Sequence, residues 1–218
     1  MKLFRSLLFI SFIIFLCSGL PSRRNVIIYG DALALQDSTW AEVNFETSGI
    51  INKMAYATPD NFMKQQIYPC ARCFLRPEVA DALNRANEIA EKKGLKLVIY
   101  DCYRPYSYQK VMYDIVNDPR YVAPPGKGSY HNRGAAVDIA LADENGELLD
   151  MGGAFDDFSE ISHYENKGVS RTGRKNRKTL RKIMVKAGFT PLSSEWWHFD
   201  YRDKGFPVAD FKWDCNSK

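Results

Sequence analysis

The sequence predicts an α+β fold, a central antiparallel sheet flanked by helices, and three observations carry that reading. Apolar residues recur at helical spacing over 77–93 and again over 172–187. Residues 135–141 alternate strictly, with Ala136, Asp138 and Ala140 on one face and Val137, Ile139 and Leu141 on the other, which is strand periodicity. Helices and strands interleave without the strand–helix–strand rhythm of a parallel α/β sheet.

Taken in order, the first residues are a different material from the rest. Lys2 and Arg5 precede an apolar run over 7–16 and then Cys17-Ser18-Gly19, the pattern of a secretory leader over 1–19. Spanning a bilayer takes about 20 apolar residues, so the run is too short to be a membrane helix. Acylation of Cys17 is the weaker alternative, because bulky Leu16 stands where a small residue is wanted. The expectation is an exported protein, periplasmic or in the cell envelope, with no stable membrane insertion once the leader is cut. Residues 20–218 then form one domain. Residues 21–55 have no clear pattern, and 56–62, with Pro59 and Asn61, read as a loop.

The helix over 77–93 has Pro77 in its first turn, buries Val79, Leu83, Ala86 and Ala90, and stops at Gly94. Residues 95–100 form a short apolar strand, and a second helix covers 106–116. A Pro- and Gly-rich loop over 117–128 leads into the strand at 135–141. Asn145-Gly146 suits a tight hairpin back into 147–149. The helix over 172–187 buries Leu180, Ile183, Met184 and Ala187 and ends at Gly188, and residues 195–201 form a last buried strand.

The chain is 45% apolar and 26% charged, which fits a packed domain and excludes a disordered one. Its net charge of +4 falls to +2 when Lys2 and Arg5 leave with the leader. No basic tail exists and nothing points to nucleic acid. Arg171, Arg174, Lys175, Arg177, Lys178, Arg181, Lys182 and Lys186 read as the solvated face of one helix, or as a patch drawn to an anionic wall polymer or membrane. Cys70, Cys73, Cys102 and Cys215 remain after processing. Export favours disulfides, and all three pairings stay open. Cys70 and Cys73 have redox-motif spacing, but no thioredoxin-like strand precedes them, which favours a structural bridge.

Two of the three histidines sit in unusual company. His131 stands seven residues before Asp138, and Glu195 three before His198. Two imidazoles and a carboxylate match a hydrolytic zinc site, which leaves a fourth position for water. An unligated carboxylate nearby then takes the water's proton. Each piece has a plain alternative, since a lone His is commonly structural and an Asp on a strand commonly bonds a loop. Glu195 and His198 would also point to opposite faces of a regular strand. A bulge, or a strand beginning between them, is needed to bring both to one metal.

Together the pieces form Ser-x-His-x6-Asp from Ser129, followed by Glu195-Trp196-Trp197-His198. Tyr56-Ala-Thr-Pro-Asp-Asn-Phe62, Asp101-Cys-Tyr-Arg-Pro105 and Met151-Gly-Gly-Ala-Phe-Asp156 accompany them in order. This set resembles the zinc D-alanyl-D-alanine peptidases, whose fold is shared with the hedgehog signalling domain, and most closely the VanX-type dipeptidases. The likeness runs from about Tyr56 to Tyr201.

The resemblance implies hydrolysis of the D-Ala-D-Ala dipeptide in cell-wall turnover, with one zinc per chain held by His131, Asp138 and His198. It implies Glu195 as general base and later proton donor to the leaving amine. Arg104 falls on the family's arginine, which steadies the oxyanion, a role suited to charge that appears only in the transition state. Asp156 falls where the dipeptidases hold the substrate's ammonium, and Tyr56 and Ser129 line that pocket. Asp156 as a turn cap beside Asp157 and Arg104 as a surface ion pair are the competing readings. His163 matches no ligand position and reads as structural. Two other functions stay open: a D,D-carboxypeptidase acting on longer wall peptides, and a non-catalytic binding module, which would need neither Glu195 nor Arg104.

Overall fold

The alternation around Asp138 does form a strand, and that strand is the centre of the sheet. The computed structural model describes residues 39–124, 126, 128–203 and 205–216, so the leader expected over 1–19 lies outside the described residues. The elements run β1 (Ala41–Glu42), α1 (Phe45–Ser48), β2 (Ile51–Asn52), β3 (Phe74–Leu75), α2 (Pro77–Glu91), β4 (Leu95–Asp101) and α3 (Tyr106–Val116). There follow β5 (Ala136–Asp143), α4 (Arg171–Ala187), β6 (Thr190–Pro191) and β7 (His198–Asp200). The main sheet has the order β2-β4-β5-β7-β6, and β1 and β3 form a separate antiparallel pair.

The sheet departs from the expected all-antiparallel form at one edge, where β2 runs parallel to β4. A strand of two residues gives too short an alternation to be read from sequence. The hairpin expected at Asn145-Gly146 is likewise reduced to a turn and one bridge, Ala142 to Leu148. Asp143 Oδ1 accepts from the amides of Asn145 and Glu147, so its side chain competes with further strand pairing. The last strand is three residues long and begins at His198, not at Glu195.

Register explains the two faces. Leu97 lies opposite Leu141, Ile99 opposite Ile139 and Val137 opposite Phe199, giving one wholly buried apolar face. Each such side chain is worth about 1.5–3 kcal/mol when fully buried. The other face places Asp138 opposite His198. Between Ile99 and Asp101 the pairing shifts, so that Asp101 also comes opposite Asp138. That bulge bends the strand end and delivers the following loop, through Arg104, toward Asp138.

The helices follow their signals. Pro77 occupies the first turn of α2, which buries Val79, Ala82, Leu83, Ala86 and Ala90. Ser170 caps α4 by accepting from the amide of Gly173 at 2.9 Å, and Gly188, at φ +107°, ends it. The helices α2 and α4 pack on one another, α2 on β4 and α4 on β5. The reading of α4's cations as one solvated face fails at Arg177, which is 1% exposed, while Arg171, Arg174, Lys175, Lys178, Lys182 and Lys186 do face solvent. Arg177 shares the buried stripe of Gly173, Leu180 and Met184, positions three or four apart.

Of the three possible cysteine pairings the structure forms Cys70–Cys215 and Cys73–Cys102, with Cα separations of 6.0 and 5.5 Å. Cys70 and Cys73 are therefore not joined to each other. Among the described residues no helix is long and apolar enough to cross a membrane.

Candidate metal centre and active site

Asp138 points from the middle of β5 toward two imidazoles. His131 leaves a 3-10 turn over His131–Arg133 whose end, Gly134, has φ +66°. A side chain at Gly134 would place its Cβ 2.4 Å from the Trp40 ring, so glycine is required twice over. His198 opens β7 directly across from Asp138.

The three residues offer one atom each to a common point. His131 Nε2 stands 3.3 Å and His198 Nδ1 3.0 Å from Asp138 Oδ1, and the two nitrogens are 3.1 Å apart. Ligands about 2.0–2.2 Å from a tetrahedral zinc ion stand roughly 3.3–3.6 Å from one another, so the trio is close to one face of such a tetrahedron. The donor set, two nitrogens and one carboxylate oxygen, fits zinc. Asp138 is held well below the usual carboxylate range, because the two histidines beside it outweigh the cost of its burial.

The outer nitrogens are also fixed. His131 Nδ1 lies 2.6 Å from the carbonyl oxygen of Cys102, which can only accept, so this nitrogen carries the proton and Nε2 is left to ligate. His198 Nε2 is 2.8 Å from Asp200 Oδ1, and Arg202 holds the other oxygen of Asp200 at 2.6 Å. Neither the Cys102 carbonyl nor Asp200 emerged from the sequence reading as a support for the histidines. Asp200 had a signal, since two residues along a strand share a face. A backbone carbonyl has none.

Glu195 precedes β7 in a turn closed by the His198 amide on the Glu195 carbonyl at 3.4 Å. The fold thus meets the geometric requirement by starting the strand between them, and Glu195 Oε2 comes within 3.9 Å of His198 Nδ1. Burial raises the Glu195 pKa, which makes it a stronger base than a surface glutamate.

Arg104 is buried and locked rather than paired at the surface. Its Nε and Nη2 donate to Asp101 Oδ2 at 3.1 and 2.6 Å, and Nη1 donates to Gln109 Oε1 at 2.9 Å. Asp101 is steadied in turn by the Tyr68 hydroxyl at 2.9 Å. Burial works against the charge on Arg104, but Asp101 and its neighbours more than restore it. Three of five guanidinium N–H groups are used, which leaves two for the pocket.

The Arg104 guanidinium lies 5.1 Å from the centre of the Tyr56 ring, and the Tyr56 hydroxyl reaches both oxygens of Asp156 at 3.2 and 3.1 Å. Asp156 adopts φ +59°, a left-handed conformation that few non-glycine residues hold without cause. Burial, then the charge of Asp138, raises its pKa well above the ordinary value. Asp156 does lie in a turn, closed by the Asp157 amide on the Ala154 carbonyl, but its side chain bonds Tyr56 rather than a backbone amide of that turn. Ser129 bonds through its amide to Asn132 at 2.7 Å, while its hydroxyl is buried without a partner among the described residues. His163 is exposed, and its carbonyl accepts from Arg177.

These features agree with three sequence relatives, each a D-alanyl-D-alanine dipeptidase. The chain is 40% identical to that of Escherichia coli (strain K12) over 164 residues, covering 75% of this chain and 85% of the relative. It is 33% identical to that of Enterococcus faecium over 180 residues, 72% of this chain and 88% of the other. It is also 33% identical to that of Streptomyces coelicolor over 196 residues, 79% and 96% of the two chains. The model of the M15 peptidases, described as D-Ala-D-Ala dipeptidase, matches residues 42–216, which take in both histidines, Asp138, Glu195, Arg104 and Asp156. The trio on β5, on β7 and on the turn that precedes β5 thus sits in a chain that belongs to the D-Ala-D-Ala dipeptidase family of M15 peptidases.

Proposed function

We propose that this protein is a zinc D,D-dipeptidase that hydrolyses D-Ala-D-Ala to two D-alanines. His131 Nε2, Asp138 Oδ1 and His198 Nδ1 hold one zinc ion. When bound, zinc supplies Lewis acidity, polarising the scissile carbonyl and bringing the pKa of the attacking water toward about 7. Glu195 takes the proton of that water and later gives it to the leaving amine. Its raised pKa suits both acts, since base strength near the working pH favours transfer in each direction. Arg104 turns its unused N–H groups to the carbonyl oxygen as negative charge grows there, and its bonds to Asp101 and Gln109 set its orientation beforehand.

The observation that carries the choice of a dipeptide is Asp156, held at φ +59° with its carboxylate on Tyr56. Among the described residues no ion pair neutralises it, and the nearby Arg104 is engaged with Asp101. A substrate ammonium completes this site, and the Ser129 hydroxyl lines the same pocket. In a longer peptide an uncharged amide would stand there instead, leaving the buried Asp156 carboxyl without a cationic partner.

Export is part of the same reading. It is supported by the leader-like residues 1–19 and by two disulfides, bonds that persist in oxidising compartments. An exported dipeptidase suits recovery of D-alanine from wall turnover. The test incubates the purified protein with D-Ala-D-Ala and with a pentapeptide ending in D-Ala-D-Ala, with and without chelator. D-alanine release from the dipeptide that chelator abolishes supports the reading. Faster release from the pentapeptide makes the protein a carboxypeptidase.

A further inference from the structure

Arg177 is a fully buried arginine on α4, outside the catalytic group, and among the described residues no carboxylate is bonded to it, Asp150 acting on its charge only from a distance. Burying an unpaired guanidinium costs several kcal/mol, and burial does lower its pKa. The compensation comes from carbonyl oxygens. Nε donates to Met151 at 2.6 Å, and Nη1 donates to Ile161 at 2.9 Å and to His163 at 3.2 Å. These acceptors bracket the irregular segment 151–163 at both ends, and Asp156 lies near its middle.

The same guanidinium sits 5.6 Å from the centre of the Trp196 ring, the residue after Glu195. Trp196 donates its amide to Ser162 at 3.1 Å, inside the segment that Arg177 holds. The arrangement also leaves little room at two glycines, and at Gly173 it admits no side chain without a backbone shift. A Cβ at Gly153 would stand 3.2 Å from Arg177 Nη2, and one at Gly173 would stand 2.9 Å from the Gly152 backbone. Close approach of the segment to α4 is therefore built into the sequence.

From this geometry we infer that Arg177 is a positioning residue for substrate selection: it clamps the segment that carries Asp156 and ties it to the Trp196 side of the general base. The inference rests on the proposed ammonium-binding role of Asp156. Asp156 has an unfavourable left-handed backbone and one side-chain partner, Tyr56, so its placement depends on the rigidity of the segment's ends. Freeing those ends lets the carboxylate wander while the metal trio on β5 and β7 stays in place. Ground-state selection of the free amine should then suffer more than metal binding.

The test compares wild-type holoenzyme with Arg177→Met, Arg177→Lys and, as a control on the exposed side of α4, Lys182→Met. For each, kcat and KM are measured on D-Ala-D-Ala and on N-acetyl-D-Ala-D-Ala, with zinc content and Tm alongside. Arg177→Met should raise KM for the free dipeptide and cut the preference for it by at least about tenfold, a displacement of roughly 1 Å being worth as much as a hundredfold. Zinc content should stay at one per chain. Arg177→Lys should restore part of the preference through one or two of the carbonyl bonds, and Lys182→Met should match wild type. An unchanged preference in a folded, zinc-loaded Arg177→Met enzyme overturns the inference, as does an equal loss on both substrates. If Arg177→Met does not fold, Arg177→Lys decides, and a wild-type preference there overturns it. A wild-type enzyme with no preference for the free dipeptide defeats the ammonium role of Asp156 itself, a separate result from any of these.

Discussion

His198 and Asp200, two residues apart on one strand, are joined by a 2.8 Å contact between Nε2 and Oδ1 that leaves His198 Nδ1 facing Asp138. The carboxylate thereby fixes both the tautomer and the ring orientation of a proposed metal ligand. Arg202 closes the other side of Asp200, so the support is itself held. Asp200→Ala should weaken zinc affinity about 10–100-fold while the fold persists. Competition against a chromophoric chelator measures this, and unchanged affinity would make Asp200 a bystander.

Glu195→Gln should retain one zinc and lose about 10²–10⁴-fold in turnover, because it removes proton transfer and not a ligand. The sign of the pH effect follows from burial, which raises the Glu195 pKa. The base works only when ionised, so activity is complete above that raised pKa and falls as pH drops through it. The acid limb of kcat should therefore lie above the usual glutamate value of about 4.3. A pH–rate profile checks this, and metal loss in the variant would instead make Glu195 a ligand.

Arg104→Lys should behave as a severe change despite keeping the charge. Asp101 and Gln109 hold a planar fork, and a lysine cannot satisfy both while also presenting N–H groups to the pocket. Turnover should fall by at least about a hundredfold, in line with loss of an oxyanion donor, with a much smaller change in KM. A rise in KM alone would make Arg104 a substrate anchor.

Much of this was legible in the sequence where a local rule acts alone. Pro77 and Gly188 bound their helices as their chemistry requires, α2 ends at Glu91 a few residues short of Gly94, and the alternation about Asp138 gave a strand. The trio was legible because few residue types bind zinc and their order matches the family. What escaped were effects of tertiary contact. The parallel pairing of β2 depends on a two-residue match with β4, too short for any periodic signal. Arg177 sits among exposed cations in sequence, and only the carbonyls of 151, 161 and 163 make its burial tolerable. The Cys102 carbonyl that orients His131 has no side-chain signature, and the pairing Cys73–Cys102 beside it could not be chosen from spacing.

The central claim is that Asp156 makes this enzyme a dipeptidase by holding a free ammonium. The most direct measurement is the ratio of kcat/KM for D-Ala-D-Ala to that for N-acetyl-D-Ala-D-Ala, in the wild type and in Asp156→Asn. A substrate without a free ammonium forfeits the ion pair with Asp156, a loss of about 3 kcal/mol, so the wild-type ratio should be at least about a hundredfold. In Asp156→Asn it should shrink, chiefly through slower hydrolysis of the free dipeptide. Comparable values for the two substrates in the wild type would contradict the account and favour action on longer wall peptides.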